Sequence, residues 1–384
     1  MAARPAEEAA RPRILQVGKF YPPYRGGMET HLQGLCTELA RSVDLEVVVS
    51  NGGRETVSEV IDGIPVLRLG TIGTFASAPL NPGLRAAIAD SPADIVHVHL
   101  PHPTAIISYL LSGHEGPVVA TYHSDIVRQR VLGAAFSVIL HRFLRRCAAI
   151  ICTSPQYIES SAVLQRHRDR CHVLPFSIPL EQFADSDPAA VHAIRERYGE
   201  RIVLGVGRLV SYKGFEHLIT AMAQVRGTLL LIGAGPLKSA LEDRARSAGV
   251  ADRVAFLGAV RDVVPYYHAA DVFALPSIAR SEAFGLVQLE AMACGLPVVN
   301  THLPTGVVHV SPDGVTGLTV PPADASALAG ALSRLLDDPT LRARLGEAGR
   351  RRAREHFNLA TMGRRTLELY ANVLGQGASV RTNV

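Results

Sequence analysis

Two glutamates separated by seven residues, Glu282 and Glu290, form the most specific chemical pattern in the chain. They lie in Ser281-Glu-Ala-Phe-Gly-Leu-Val-Gln-Leu-Glu-Ala-Met-Ala-Cys-Gly-Leu-Pro297, between an apolar run ending at Leu275-Pro276-Ser277 and another opening at Pro297. The pattern predicts Glu282 in the loop before a helix and Glu290 about two turns inside it. A helix start carries unsatisfied N–H groups and the positive end of the dipole, which suits a diphosphate. Carboxylates on either side of such a site accept hydrogen bonds from hydroxyl groups. An arbitrary pair would more often be a helix-start charge and a solvated face residue. The small and apolar residues around these two set them apart.

Cations suited to phosphate precede them. Gly207-Arg208-Leu-Val-Ser-Tyr-Lys213-Gly214 joins an apolar run to an amphipathic one. Arg208 offers a planar fork for phosphate oxygens and Lys213 a compact charge. The chain uses arginine almost everywhere and lysine only at 19, 213 and 238, so a lysine here is a choice. In the first half, Gly26 and Gly27 let backbone approach a ligand at another helix start. Thr121-Tyr-His123-Ser-Asp125 sits just past an interior strand, at its carboxyl end. His97, His99 and His102 resemble a metal cluster, but His97 and His99 alternate along a strand and are expected to face opposite sides, which argues against a shared ion. Ile232-Gly-Ala-Gly-Pro-Leu-Lys238 imitates a dinucleotide fingerprint, yet Lys238 stands where its third glycine belongs.

Short apolar runs alternating with amphipathic stretches must position these groups, a pattern of βαβ units around parallel sheets. Strands are expected at Ile14–Gly18, Leu45–Ser50, Asp94–His99, Pro117–Tyr122, Ala149–Thr153 and Cys171–Leu174, with helices at Gly27–Arg41 and Ile126–Arg146 among the connections. Pro175, Pro179, Asp187 and Pro188 break the periodicity. It resumes with strands at Ile202–Val206, Thr228–Ile232, Val254–Phe256, Val272–Leu275 and Pro297–Asn300, a helix from Gly214, and terminal helices at Ala325–Leu336, Thr340–Arg352 and on to Tyr370. The expected fold class is α/β, two doubly wound Rossmann-like domains facing across a cleft, with ligands at the carboxyl ends of strands. The expected division is a tail over 1–12, domains over 13–180 and 181–354, and a terminal helix over 355–384 packing back toward the first domain.

Composition excludes several classes. With 384 residues, 47% hydrophobic and 19% charged, the chain suits two globular domains and not a disordered polymer. A net charge of +4 implies no nucleic-acid partner. No apolar run approaches the roughly 18 residues of a spanning helix, and the first residues lack the apolar core of a signal peptide. Five scattered cysteines point to reduced thiols in the cytoplasm.

The Glu282–Glu290 stretch resembles the signature of family 4 retaining glycosyltransferases, which have the GT-B fold, and the resemblance extends from about Arg13 to about Tyr370. It implies that Arg208 and Lys213 clamp a donor diphosphate and that Leu257 and Gly258 receive the base. It implies further that Glu282, Ala283, Phe284, Gly285, Leu286 and Glu290 hold sugar and ribose, with the Gly26–Gly27 loop beside the distal phosphate. His123 becomes the catalytic candidate near the transferred sugar, together with Glu282, Arg208 and Lys213. Glu29 and Asp125 are acceptor-side candidates. The segments around Gly26 and His123 look most like bacterial mannosyl- and hexosyltransferases of surface-polysaccharide assembly.

The expectation is transfer of a hexose from GDP-mannose, or alternatively a UDP-hexose, to a glycan or lipid-linked acceptor, with no cofactor and no metal. A non-catalytic nucleotide-sugar binder of the same fold is the alternative from another class. Arg128, Arg130, Arg142, Arg145 and Arg146, interleaved with apolar residues and without a carboxylate, suggest a basic amphipathic patch on an anionic membrane surface at its cytoplasmic face.

Overall fold

The computed structural model describes residues 11–24, 26–75, 78–125 and 130–381. The chain divides into two compact units, one comprising residues 1–152, 167–172 and 363–384, the other residues 153–166 and 173–362.

The first unit is built on an eight-stranded sheet of β1 (Arg13–Val17), β2 (Asp44–Ser50), β3 (Val57–Ile61), β4 (Ile64–Leu69), β7 (Ile95–Leu100), β8 (Val118–Tyr122), β9 (Cys147–Cys152) and β10 (Cys171–Val173). Their order is β10-β9-β8-β7-β1-β2-β4-β3, and β5 (Gly73–Phe75) and β6 (Ala78–Leu80) form a separate hairpin. β1, β2, β4, β7, β8 and β9 pair in parallel. Helices cover both faces of such a sheet, so its inner strands are apolar along their length. Every residue of β7, Ile-Val-His-Val-His-Leu, is buried, which places two imidazoles inside the core. β3 is the exception, antiparallel to β4 across the turn Asp62-Gly63, where φ is +52° and +79°.

The second unit holds β11 (Ile202–Val206), β12 (Thr228–Ile232), β13 (Val254–Gly258), β14 (Val272–Leu275), β15 (Val298–Thr301) and β16 (Gly317–Val320), ordered β13-β12-β11-β14-β15-β16 and parallel throughout. Two of its helices start on aspartate caps: Asp187 accepts the Ala189 N–H at 3.0 Å and Asp324 the Ala327 N–H at 2.9 Å. The three terminal helices span Ala325–Asp337, Pro339–His356 and Leu359–Arg381. The basic helix of the first unit runs Arg130–Arg146; residues 126–129 of the expected helix, Arg128 included, lie outside the described residues.

Candidate active site

The carboxyl ends of β11, β12 and β13 approach one another so closely that side chains are excluded. The Gly233 N–H donates to the Gly258 carbonyl at 2.8 Å and the Gly207 N–H to the Ile232 carbonyl at 2.9 Å. At φ +138°, a Cβ on Gly233 would stand 2.0 Å from the Gly207 oxygen. The glycines once comparable to a dinucleotide fingerprint therefore serve backbone crossing. Leu257 and Gly258 end β13 at this edge, both part-buried.

Lys213 lies on the short turn after β11 and is buried. Gly214, at φ +66°, caps that turn where any Cβ would strike the Pro276 carbonyl. This close approach brings Lys213 to the end of β14. Its Nζ is 2.6 Å from Glu282 Oε2, which also accepts a hydrogen bond from Ser277 Oγ at 2.8 Å. Burial pulls the Lys213 ammonium down, but Glu282, Tyr212 and Glu290 outweigh it and leave its pKa raised. Ser277 is itself held, its carbonyl accepting from Thr301 Oγ1. Arg208 is exposed at the same edge.

The helix carrying Glu290 begins at Val287 and ends at Ala293, so Glu290 sits in its first turn and not two turns in. The residues after Glu282 form turns braced by polar contacts instead of extending the helix. Gln288 Nε2 donates to the Phe284 carbonyl at 3.2 Å, Asn300 Nδ2 to Gln288 Oε1 at 2.9 Å, and the Gly306 N–H to the Ala283 carbonyl at 2.8 Å. Gly285 takes φ +75°, where a Cβ would meet Leu275 and Gln288. The Phe284 ring packs edge-on against Phe176 and Phe357 in the core, so only its backbone faces outward. Leu286 stands at the helix cap.

Glu290 Oε2 accepts from the Tyr267 hydroxyl at 2.7 Å. Burial raises the Glu290 carboxyl, with Tyr267 and Lys213 opposing, and the same surroundings raise the Tyr267 phenol well above its ordinary range. Lys213, Glu282, Ser277, Glu290 and Tyr267 thus form one polar group inside the second unit. Tyr267 and Ser277 carry no motif, although Ser277 lies two residues past the end of β14.

In the first unit, Gly26 caps the helix Gly27–Leu39 in extended backbone at φ −178°, with the part-buried Glu29 in its first turn. Burial raises the Glu29 carboxyl and lowers the Lys19 ammonium, each partly offset by the other. Asp125 accepts from the Tyr122 hydroxyl at 3.0 Å. His123, just past β8, is buried, and its Nε2 lies 3.1 Å from His99 Nδ1.

The expected separation of His97 from His99 is wrong. Residues two apart on a strand share a face, and these rings stack at 4.6 Å. His102 leaves the cluster to cap the next helix, its Nδ1 accepting the Ala105 N–H. His31, from the helix after the paired glycines, takes its place. Among the described residues, one ring nitrogen from each of His31, His99 and His123 lies within 4.8 Å of the other two, the one place where three metal-capable side chains meet. The 3.1 Å contact between His99 and His123 already satisfies both facing nitrogens by a hydrogen bond.

The chain matches the family model described as Glycosyltransferase Family 4 over residues 25–182 and that described as Glycosyl transferases group 1 over residues 189–352. It is 30% identical over 371 residues to the O-antigen chain mannosyltransferase C of Escherichia coli, covering 94% of this chain and 99% of that protein. It is 31% identical over 383 residues to the GDP-mannose-dependent alpha-(1-6)-phosphatidylinositol monomannoside mannosyltransferase of Mycolicibacterium smegmatis, covering 93% and 97%. The fold matches the sucrose-phosphate synthase of Thermosynechococcus elongatus with a TM-score of 0.80 at 26% identity, over 95% of this chain and all of that one. Two parallel α/β units, the paired glutamates and these full-length likenesses agree: the chain belongs to glycosyltransferase family 4 and is a glycosyltransferase of the GT-B fold.

Proposed function

We propose that this glycosyltransferase takes a nucleotide-diphosphate hexose, GDP-mannose first among them, and transfers the sugar with retained configuration to a glycan or lipid-linked hydroxyl. The observation that carries this is the buried Lys213–Glu282 pair with Glu290 beside it and Arg208 exposed at the same strand ends. Arg208 and Lys213 neutralise the departing diphosphate, Glu282 holds the transferred sugar and Glu290 the ribose. His123 acts on the sugar from the first unit. The bond from the anomeric carbon to phosphate oxygen breaks as the bond to the acceptor oxygen forms, and the acceptor proton passes to the departing phosphate. Preorganised cations do here what a divalent ion does elsewhere, so the reaction needs neither metal nor cofactor. The GDP-mannose dependence named for the Mycolicibacterium relative, beside the mannosyl transfer named for the Escherichia one, favours GDP-mannose.

The acceptor is met at the cytoplasmic membrane surface. Arg142, Arg145 and Arg146 line a cavity of about 470 Å³ with Tyr109, Leu110, Gly113 and His114. On the helix Pro103–Ser112 and on the basic helix, Ile107, Leu111 and Val138 are exposed, the last two by 62% and 68%. Cations beside exposed aliphatic groups suit anionic lipid. No described helix is long and apolar enough to cross a membrane.

Thermal-shift screening against GDP, UDP, TDP and ADP sugars tests the donor, because a ligand of the folded state raises apparent stability by mass action. The largest shift should come from GDP-mannose, and turnover should persist in excess EDTA. A larger shift from a UDP-hexose would reassign the donor. Binding without release of sugar from any donor would make the chain a non-catalytic binder.

A further inference from the structure

Gln16, His97, His99, His123 and Tyr370 form one continuous buried hydrogen-bonded chain in the first unit. Tyr370 reaches it from the last helix, whose residues from Gly363 onward belong to this unit. The chain has a direction. The Tyr370 oxygen accepts from Gln16 Nε2 at 3.0 Å, so its single O–H goes to His97 Nδ1 at 2.6 Å. His97 then donates from Nε2 to Thr121 Oγ1 at 2.7 Å. On the other branch, the Gln16 amide turns Oε1 toward His99 Nε2 at 2.9 Å, so that nitrogen carries the proton.

A neutral imidazole has one N–H. Burial keeps these rings neutral, lowering His97 and His123 well below the usual imidazole range and His99 to about 3. His99 Nδ1 is therefore an acceptor, and the proton in its 3.1 Å contact comes from His123 Nε2. The lone pair of His123 is then at Nδ1. Turning the Gln16 amide over would reverse every proton in the chain, so the phenol and the amide together select the tautomer.

We propose that Tyr370, Gln16 and His99 are positioning residues that hold His123 in its neutral Nε2–H tautomer, so that any hydrogen bond His123 makes to the transferred sugar is accepted at Nδ1. The proposal rests on the reading of His123 as a residue of the transferred sugar. None of the three positioning residues need touch substrate. A tautomer fixed in advance removes one arrangement that would otherwise have to be selected at each turnover.

Long-range 1H–15N correlation spectra of the histidine side chains in the full-length protein test it, with assignments from His97→Gln, His99→Gln and His123→Gln. The wild type should show Nε2–H at both His99 and His123. Tyr370→Phe keeps the ring and removes the hydroxyl; it should produce mixed tautomers at these two rings and lower kcat about tenfold with little change in KM, the equivalent of one hydrogen bond. Gln16→Met breaks the relay from its other partner and carries the same expectation where Tyr370→Phe does not fold. Nδ1–H at either ring in the wild type, or tautomers unmoved by both substitutions, overturns the relay. Tautomers that shift while turnover does not would leave the relay standing and overturn the placement of His123 at the sugar.

Discussion

Lys213 Nζ and Glu282 Oε2 stand 2.6 Å apart, both side chains about nine-tenths buried, at the ends of two adjacent parallel strands. The pair links the phosphate-facing and sugar-facing roles proposed for this site, and each partner neutralises the other. Removing one leaves an uncompensated buried charge, which costs about 3–5 kcal/mol. Lys213→Ala and Glu282→Ala should each destabilise by about that much and lower turnover on the order of 10²–10³-fold. Lys213→Met combined with Glu282→Gln should be less destabilising than the single alanines, because it leaves no bare charge. Urea melts of the three variants check this, and additive losses in the double variant would contradict it.

Glu290 is expected to hold the ribose, with Tyr267 orienting its carboxylate at 2.7 Å. Glu290→Ala should weaken binding of the free nucleoside diphosphate by about 1.5–3 kcal/mol, the value of a charged hydrogen bond. Tyr267→Phe should weaken it less, since the carboxylate remains. Calorimetry with GDP distinguishes the two, and unchanged affinity in Glu290→Ala would remove the ribose assignment.

The buried imidazoles of His31, His97, His99, His102 and His123 make the first unit sensitive to acid. Burial lowers His31, His97 and His123 well below the ordinary value, His99 to about 3 and His102 to about 4. The rings face one another and Lys19 faces His102, so these neighbours add to burial in opposing protonation. In the unfolded chain they titrate near 6.5, so below that pH the unfolded state binds protons that the folded state does not. Stability is therefore present above about pH 7 and falls as pH drops from 6.5 toward the folded values, by about 1.4 kcal/mol per pH unit for each ring. Denaturant melts at pH 7.5 and 5.5 should show a steep loss. His102→Asn, which retains a capping side chain, should flatten it by one ring's share; a pH-independent midpoint would contradict the account.

Much of this architecture is legible in the sequence, because buried parallel strands write themselves as continuous apolar runs. β1, β2, β7, β8, β11, β12 and β14 fall where such runs lie. β3 and β4 are not legible as apolar runs because an edge hairpin is only half apolar, with Val60 69% exposed; the Asp62-Gly63 turn between them is the signal the sequence offers. The paired glutamates stand out by their spacing within a run of small and apolar residues. The pairings do not, since Lys213 meets Glu282, and Tyr370 meets Gln16, through strand ends and a returning helix that no local pattern records. The two-residue strand period, applied correctly, would have placed His97 and His99 together.

The arginines of the basic helix offer a test of the membrane reading. Replacing Arg142, Arg145 and Arg146 with Gln should reduce binding to anionic vesicles by about 1 kcal/mol per charge, and added salt should weaken the wild-type association. Sedimentation that is absent, or indifferent to the substitutions, would leave these residues as a solvated face.

The proposed reaction is transfer with retained configuration, driven by a diphosphate held on Arg208 and Lys213 and deprotonating the incoming hydroxyl from the same face. Inversion would require a side-chain base on the opposite face, and Asp125, bonded to the Tyr122 hydroxyl at 3.0 Å, is the carboxylate near His123 nominated for it. Proton NMR of the sugar released when water replaces the acceptor reads the outcome before the anomers equilibrate. An α-linked nucleotide donor should give the α sugar first, with Asp125→Asn altering the rate little; the β sugar appearing first would contradict the mechanism.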